Sequence, residues 1–261
     1  MADKKTVEKL KDLACEARKN ILRLCHRGAT HIGGDLSMAD MMTVLFQYGM
    51  KYDPENPCWA QRDRFILSKG HGAGCFYVTL AMAGYFTMDH VLEEFRKFGS
   101  HFGEHPSGEI PGIEISTGSL GHGLPISIGM ALAARLDGLP IRVYVMLGDG
   151  EVQEGQIWEA AMAAGHFKID NLTAIVDKNG LQLSGKVADI MNVDPLGKKF
   201  EAFNWNVLEI DGHDLRQVYD AIQEAKAFKG KPTAIIARTV KGKGVSFMEH
   251  NVDFHGKAPN A

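Results

Sequence analysis

The stretch that decides the fold is IRVYVMLGDGEVQEGQIWEAAMAAGHFKIDNLTAIVDKNG, residues 141–180 of a chain of 261 residues. IRVYVML (141–147) is a continuous apolar run, which is typical of a strand whose two sheet faces are both covered. A helical stretch over residues 153–167 follows it, and then a second apolar run, NLTAIVD (171–177). A strand, a helix and a second strand within about 30 residues predict two parallel strands joined by a right-handed crossover.

The same alternation continues on both sides of this unit. Downstream, VLEI (207–210), a helix over residues 215–228 and TAIIARTV (233–240) repeat it, and upstream FILS (65–68) is a short buried strand. The other predicted helices cover residues 6–26, a stretch that begins at Ser37, and residues 75–84, 88–98 and 125–136. Strands that alternate with helices favour an α/β fold with a parallel central sheet covered by helices on both faces. Because no linker divides the chain, we expect one domain over residues 1–261, with the polar tail from Lys241 on its surface.

Oxygen-bearing side chains follow both strands of the central unit. Asp149, between Gly148 and Gly150, comes after the first strand and Asn179 after the second. The two should therefore meet at the carboxyl edge, where open α/β sheets bind ligands. A carboxylate and an amide oxygen suit a hard cation such as Mg²⁺ or Ca²⁺, and the glycines let backbone amides approach an anion. A lone Gly-Asp-Gly is more often a simple turn, but the asparagine at the matching position favours a metal site.

Bulk composition narrows the classes of function. The formal net charge of −3 gives no basic footprint for nucleic acid, and no apolar run approaches the roughly 20 residues of a membrane helix. The four cysteines show no paired metal spacing, so we expect free thiols in a reducing compartment. The charged start, MADKKTVEKLKDLACEARKN (1–20), is unlike a signal peptide. These features predict a cytoplasmic protein.

A resemblance to a known family rests on several motifs in order. Gly-Asp-Gly followed by asparagine at this distance resembles the signature of thiamine-diphosphate enzymes, and LGDGEVQEGQIWEAAMAAGHFKIDNLTAIVDKNGLQLSG (147–185) resembles the transketolase family. Four further segments resemble that family's motifs: RGATHIGGDLSMADM (27–41), DRFILSKGHGAG (63–74), HFGEHPSGEIPGIEISTGSLGHGLPISIGMA (101–131) and KGKGVSFMEHNVDFHGKAP (241–259). The resemblance covers nearly the whole chain and implies the thiamine-diphosphate-binding fold, in the form of the family's diphosphate-binding domain.

The resemblance also implies a set of cofactor ligands. Asp149, Asn179 and the backbone carbonyl of Leu181 would bind the divalent metal, which is Mg²⁺ or alternatively Ca²⁺ or Mn²⁺. The other residues expected at the cofactor are those near the diphosphate (Gly148, Gly150, His71, His255 and Lys241), those near the rings (Gly118, Ser119 and Leu120), and Glu154, which matches a family acid at the dimer contact.

Three histidines are implied to line the channel where the sugar reacts: His31, His71 and His105. Two motifs around them depart from the family. The common Ser-Gly-His-Pro reads Ala29-Thr30-His31-Ile32 here, and Gly-His-Pro-Glu reads Glu104-His105-Pro106-Ser107. Five other histidines are interpreted as surface or core residues, namely His26, His90, His166, His213 and His250, whereas His122 stays open. Lys69 also stays open, between a phosphate contact and a solvated side chain.

The family resemblance implies transfer of a two-carbon ketol unit from a ketose or its phosphate to an aldose or its phosphate, the chemistry of a transferase of aldehyde or ketone groups. The sequence matches neither the pyrimidine-binding domain nor the C-terminal domain of the family. The chain is therefore either a natural subunit of a two-chain enzyme or a fragment of a longer one. We expect the subunit, with a partner chain that carries the pyrimidine-binding domain, in a symmetric assembly with two copies of each chain. The alternatives are one chain of a deoxyxylulose-phosphate-synthase-like enzyme and a non-catalytic module that binds cofactor or a partner. Neither nucleic acid nor a membrane is an expected partner.

Overall fold

The computed structural model describes residues 2–258 and contains alternating strands and helices. The strands are β1 (Arg64–Leu67), β2 (Val143–Gly148), β3 (Leu172–Lys178), β4 (Leu181–Gln182), β5 (Gly185–Lys186), β6 (Asn206–Asp211) and β7 (Thr233–Arg238). The helices are α1 (Lys4–Arg27), α2 (Ile32–Val44), α3 (Ala73–Met82), α4 (Met88–Glu94), α5 (Gly123–Leu136), α6 (Gly155–His166), α7 (Val187–Ile190), α8 (Leu196–Ala202) and α9 (Leu215–Ala227). Single turns of 3-10 or π-helix lie at Leu45–Gly49, Gly70–Gly72, Glu151–Gln153 and Val252–His255.

The larger sheet of the described chain has five strands in the order β1-β2-β3-β7-β6. All its pairings are parallel, and β2 is in register with β3 so that Gly148 lies opposite Asp177. The prediction of neighbouring parallel strands on either side of residues 153–167 is therefore confirmed. A small antiparallel hairpin, β4–β5, lies apart from the sheet just after β3.

Helices cover both faces of the sheet because alternate strand residues point into separate cores. Tyr144 and Met146 of β2 pack with residues of α1, α2, α3 and α9. Val143 and Val145 of the same strand pack with residues of α5, α6 and α8. Every residue of β2 is buried, which explains why its sequence is apolar without alternation. The predicted α/β fold with two covered faces is confirmed.

The start of α2 differs from the prediction. The sequence predicts a helix that begins at Ser37 as its cap, but α2 begins at Ile32, just after His31. The Ser37 hydroxyl instead lies in the protein interior, where it donates to the Asp177 carboxylate at 2.6 Å and is 3.0 Å from the carbonyl oxygen of Gly34. These bonds occupy the Ser37 hydroxyl inside the protein, so it does not cap the helix, which begins five residues earlier.

The segment after β7 also differs from the prediction of a polar surface tail. Lys241 and Met248 are buried in it, and a Cβ at Gly33 would lie 2.7 Å from the carbonyl oxygen of Phe254. The segment therefore packs closely against the start of α2. The last three residues of the predicted tail, 259–261, lie outside the described range. In residues 2–258 no helix is both long enough and apolar enough to cross a membrane.

Candidate active site

The carboxyl ends of β1, β2, β3 and β7 open onto one cavity of about 370 Å³. Its lining includes every residue that the sequence predicts for the site except Ser119. The predicted residues that line it are His31, His71, His105, Gly118, Leu120, Gly148, Asp149, Gly150, Glu154, Asn179, Leu181, Lys241 and His255. Ser119 is exposed and its side chain takes no part in the lining. Residues from both ends of the chain converge because the strands are parallel and share one carboxyl edge.

Asp149 lies at the end of β2 with its carboxylate already oriented by backbone amides. One oxygen accepts the N–H of Gly150 at 2.9 Å and the other accepts the N–H of Gly180, in the turn after β3, at 2.6 Å. Burial, together with the negative charge of Asp177, raises the pKa of Asp149 to about 6. A buried carboxylate beside a second one is stabilised by a nearby cation.

The turn after β3 supplies two further oxygens. Asn179 accepts the N–H of Leu181 on its side-chain oxygen at 3.1 Å, and its amide donates to Asp177 at 3.3 Å. The Leu181 carbonyl accepts from Lys241, another residue of the cavity lining, at 3.2 Å. Among the described residues no group of three or more His, Cys, Asp or Glu side chains could hold a metal. The mixed set of carboxylate, amide and carbonyl oxygens fits a hard divalent cation.

Lys69, which also lines the cavity, forms an almost completely buried ion pair with Asp177. The Lys69 ammonium is 2.5 Å from the Asp177 carboxylate and also donates to the Gly34 carbonyl at 3.0 Å. Ser37 and Thr239 donate to the same carboxylate. Burial would raise the pKa of Asp177, but the Lys69 charge and these hydrogen bonds hold it below its ordinary value. Lys69, left open by the sequence, is therefore not solvated.

A second lysine, Lys241, lies beside His255 in the lining of the cavity. The two nitrogens, Lys241 Nζ and His255 Nδ1, are 2.6 Å apart. Burial, with repulsion from Lys69, lowers the pKa of Lys241 to about 8. Burial and the Lys241 charge lower the pKa of His255 to about 3. The lysine therefore donates to a neutral imidazole, and both groups face the cavity.

Four histidines cluster along one side of the cavity. The ring of His31 is 5.1 Å from that of His71, 6.4 Å from that of His105 and 5.4 Å from that of His255, centroid to centroid. Burial lowers the pKa of His71 well below its ordinary value, and it lowers the pKa of His31 as well. Near neutral pH these two imidazoles are uncharged, so each can accept a proton or a hydrogen bond. Glu104 approaches His31 Nδ1 at 3.3 Å.

Glu151, which the sequence did not single out, holds the glycine-rich loops around the cavity. Its buried carboxylate accepts the N–H of Gly121 at 2.8 Å and that of Gly148 at 2.9 Å, and it accepts the hydroxyl of Ser68. It therefore joins the ends of β1 and β2 to the loop before α5. A Cβ at Gly70 would lie 2.8 Å from the backbone nitrogen of Gly118, so the loops meet only because the position carries no side chain.

A family model described as transketolase, thiamine diphosphate binding domain, matches residues 3–261. The chain belongs to the transketolase family. It is 41% identical to an apulose-4-phosphate transketolase subunit of Phocaeicola vulgatus, over 98% of this chain and 91% of that protein. It is 43% identical to a 6-deoxy-6-sulfo-D-fructose transketolase subunit of a Clostridium species, over 87% of this chain and 83% of that protein.

Solved transketolases have the same fold. The enzyme of Campylobacter jejuni superposes with a TM-score of 0.92 at 33% identity, and that of Leishmania mexicana with 0.90 at 34% identity. The match covers 97% and 99% of this chain but only 41% and 39% of those two chains, respectively. The chain therefore corresponds to the thiamine-diphosphate-binding domain of the longer transketolases, as the motifs predicted.

The sequence did not predict five further residues that line this cavity: Gly34, Glu151, Gln153, Gln182 and Leu183. Gln153 donates to Gln182 at 2.7 Å and to the carbonyl of Met191 at 3.0 Å, which connects the 3-10 turn before α6 to the β4–β5 hairpin and the end of α7. Gly34 lies in the first turn of α2, and the other four lie in a single 3-10 turn, in the two-residue strand β4 or directly after it, where no apolar periodicity can form. A glutamate directly after Gly-Asp-Gly was the one available signal, since a carboxylate buried there requires donors. His122, left open by the sequence, is exposed and contacts Gln156 outside the lining.

Proposed function

We propose that this chain is the cofactor-binding subunit of a two-chain transketolase, which transfers a two-carbon ketol unit from a ketose, or its phosphate, to an aldose, or its phosphate. The observation that carries the proposal is the single cavity in which the Asp149–Asn179 oxygens and four histidine rings converge. A candidate cation site adjoins a cluster of imidazoles there, as an enzyme that binds a diphosphate cofactor and a polyhydroxylated substrate requires.

The residues that line the cavity would hold different parts of the cofactor. When bound, thiamine diphosphate supplies the stabilisation of carbanions that ketol transfer needs. Asp149, Asn179 and the Leu181 carbonyl would hold Mg²⁺, although Ca²⁺ or Mn²⁺ has the same ligand preference for oxygen. The Gly150 amide and Lys241 would face the anionic diphosphate, with His71 and His255 beside it. Gly118 and Leu120 would pack against its rings.

The histidines would handle the substrate. His31, His71 and His105 lie together in the cavity lining, and a neutral imidazole can accept a proton from a hydroxyl or return one to it. Burial keeps the first two uncharged near neutral pH. They can therefore orient sugar hydroxyls and move protons during cleavage and formation of the carbon–carbon bond.

A partner chain would complete the site. The names of the two relatives describe them as subunits, and the longer solved transketolases have more than twice the length that this chain matches. The partner would carry the pyrimidine-binding domain, and two copies of each chain would form a symmetric assembly. Glu154, which lies exposed beside the cavity at the start of α6, would be at the contact between the chains. A cytoplasmic location accords with the four free thiols.

The test of the proposal is calorimetric titration of thiamine diphosphate and Mg²⁺ into the chain, alone and with the candidate partner chain. Affinity that becomes tight only with the partner supports a shared site. Asp149→Ala should abolish metal-dependent binding, whereas Asp12→Ala, on the exposed side of α1, should leave it unchanged. Unchanged affinity in Asp149→Ala would refute the metal assignment.

An activity assay separates the competing enzymes. The complex should use a ketose phosphate as donor and not pyruvate. Turnover of pyruvate would instead identify a deoxyxylulose-phosphate-synthase-like activity. Tight cofactor binding without turnover of either donor would identify a non-catalytic module.

A further inference from the structure

The segment that follows β7 carries Lys241 into the cavity, and its backbone is held at several points. Thr239 donates its N–H to the carbonyl of Lys178 at 3.1 Å, and Gly242 donates to that of Gly33 at 2.9 Å. Between them, Val240 donates its N–H to a side chain, Nε2 of His213, at 2.8 Å. His213 belongs to the loop between β6 and α9, so an imidazole from outside the cavity fixes the residue next to Lys241.

The hydrogen bonds determine which nitrogen of His213 carries the proton. A backbone N–H can only donate, so Nε2 must be the unprotonated acceptor. The proton then lies on Nδ1, which is 2.8 Å from the Asp40 carboxylate and donates to it. The imidazole is thus neutral and has one defined tautomer, with a donor bond on one side and an acceptor bond on the other.

The Asp40 carboxylate is itself held in place by Arg18. The guanidinium of Arg18 donates to both carboxylate oxygens, at 2.9 and 2.5 Å, and its Nε donates to the carbonyl of Lys243 at 3.2 Å. The side chains of Arg18, Asp40 and His213 are only 17%, 6% and 13% exposed, respectively. A bidentate, largely desolvated pair of this kind is geometrically rigid. It neutralises the charge of Asp40, so His213 need not be protonated to bind it.

We infer that His213 is a positioning residue for the cofactor site: by accepting the Val240 N–H it fixes the backbone from which Lys241 reaches the cavity. The inference rests on the function proposed above. Lysine has a long, flexible side chain, and Lys241 must bring its Nζ within 3.2 Å of the Leu181 carbonyl and 2.6 Å of His255. Because Lys241 is only 2% exposed, its packed side chain has little freedom to compensate for a displacement of its Cα. A shift of about 1 Å in a positioned group can have a large effect on an active site.

Two conservative substitutions separate this role from a merely structural one. In His213→Gln the side-chain oxygen reaches the region of Nε2 and can still accept from Val240. In His213→Asn the side-chain nitrogen lies near Nδ1 and can still donate to Asp40, but Val240 loses its acceptor. If His213 only stabilises the buried Asp40, asparagine should be the better replacement. If His213 positions Lys241, glutamine should be the better replacement.

The experiment measures the affinity of thiamine diphosphate, with Mg²⁺, for the complex of this chain and the candidate partner chain. We expect His213→Asn and His213→Ala to weaken binding about tenfold, the size of effect that an unsatisfied buried donor produces. We expect His213→Gln to weaken it less than about threefold, which is under half of that effect on the same logarithmic scale. Equal losses in all three variants, or a smaller loss in His213→Asn than in His213→Gln, would overturn the inference.

A double-variant experiment tests whether His213 affects cofactor binding through Lys241. With Lys241→Met already present, His213→Asn should add almost nothing, because the ammonium that it positions is gone. A full tenfold additional loss would contradict the inference. Trp205→Phe is the matched control for stability: it removes a buried hydrogen bond of 2.8 Å, from Trp205 to the Ala161 carbonyl, on the other face of the sheet. It should leave cofactor affinity unchanged.

Failure of the proposed function can be distinguished from failure of the positioning role of His213. If the unsubstituted complex binds no thiamine diphosphate, the proposed function fails. Amide hydrogen exchange in the complex still tests the positioning role in that case. Exchange of the segment 239–250 should be faster in His213→Asn than in His213→Gln, and equal rates in the two variants would refute the role of His213.

Discussion

At the scale of single residues, the most consequential feature is the pair of Lys69 and Asp177, because both side chains are almost completely buried. Lys69→Met should lower the free energy of unfolding by about 3–5 kcal/mol, since it leaves a buried carboxylate without its counter-charge. Urea denaturation of the isolated chain measures the loss. Lys198→Met, at an exposed pair with Glu201, is the control and should leave the urea midpoint unchanged. Equal midpoints for the two variants would contradict the structural role of Lys69.

The titration of His31 provides a second prediction at this scale. Burial lowers the pKa of His31, the Glu104 carboxylate raises it, and His105, Lys241 and Lys69 lower it. Glu104→Gln removes the negative charge, which is the one contribution among these that favours the protonated form of His31. The pKa of His31 should therefore fall further, so that the neutral imidazole persists to lower pH. An NMR titration of labelled histidine side chains measures this shift.

The control for this titration is Glu94→Gln, which removes a carboxylate that pairs with Lys97 rather than with His31. It should leave the titration of His31 unchanged. No change in the pKa of His31 in Glu104→Gln would show that Glu104 does not act on this ring, and a rise would contradict the predicted sign of its effect.

The residues of the site differ in how far the sequence alone could predict them. Asp149 and Asn179 were accessible because each follows an apolar strand, and parallel strands bring their carboxyl ends together. The buried position of Lys69 could not be predicted, because its partner Asp177 lies 108 positions further along the chain and within a strand. No local pattern indicates that an ammonium in a glycine-rich turn is buried. His213 was interpreted as an ordinary histidine for the same reason, since its contacts with Asp40 and Val240 are long-range.

At the scale of elements, two helical glycines have opposite expected effects. A Cβ at Gly165 of α6 would lie 1.8 Å from the carbonyl oxygen of Phe203, whereas a Cβ at Gly129 of α5 would meet nothing within 4 Å. Gly165→Ala should therefore destabilise the fold by about 1–3 kcal/mol, because backbone must move. Gly129→Ala should stabilise it by about 0.5–1 kcal/mol through higher helix propensity.

Urea denaturation of the isolated chain measures both changes, and each glycine variant serves as the other's control. Changes of the same sign would show that α6 does not pack as closely on the turn at Phe203 as the structure indicates. A stabilising effect of Gly165→Ala in particular would be incompatible with that contact.

Element positions were predictable where burial imposes a pattern. The apolar runs gave β2 and β3 within two residues, since both faces of these strands are covered. The start of α2 was not predictable, because the Ser37 hydroxyl, which suggests a helix cap, donates instead to Asp177, far along the chain. The β4–β5 hairpin and α7 are too short for any periodicity, and long-range contacts such as that between Gln153 and Met191 hold them in place.

At the scale of the whole molecule, exposed apolar side chains lie at and near the cavity. Leu183 lines the cavity yet is 72% exposed. Ile190 and Met191 are also exposed, and the Met191 carbonyl accepts from Gln153 of the lining. Exposed apolar groups next to a site that this chain is proposed to share are typical of a surface that a partner covers. This surface and the proposed shared cofactor site would therefore be closed by the same partner.

The expected consequence is that Leu183→Asp weakens association with the candidate partner chain at least about tenfold, because burial of a charge opposes the contact. Leu136→Asp is the matched control. Leu136 is 88% exposed, but it lies at the last residue of α5, whose first residue, Gly123, packs against Ser68 beside the site. At 1.5 Å per residue, this 14-residue helix carries Leu136 about 20 Å away from that end.

Sedimentation of the mixed chains, with and without thiamine diphosphate, measures the association. Weaker association of Leu183→Asp in both conditions places the partner at the mouth of the cavity. A loss confined to the cofactor-bound mixture would mean that Leu183 acts through the cofactor and not through a direct contact. If Leu136→Asp weakens association while Leu183→Asp does not, the partner docks on another face, and the cavity mouth cannot be the shared surface.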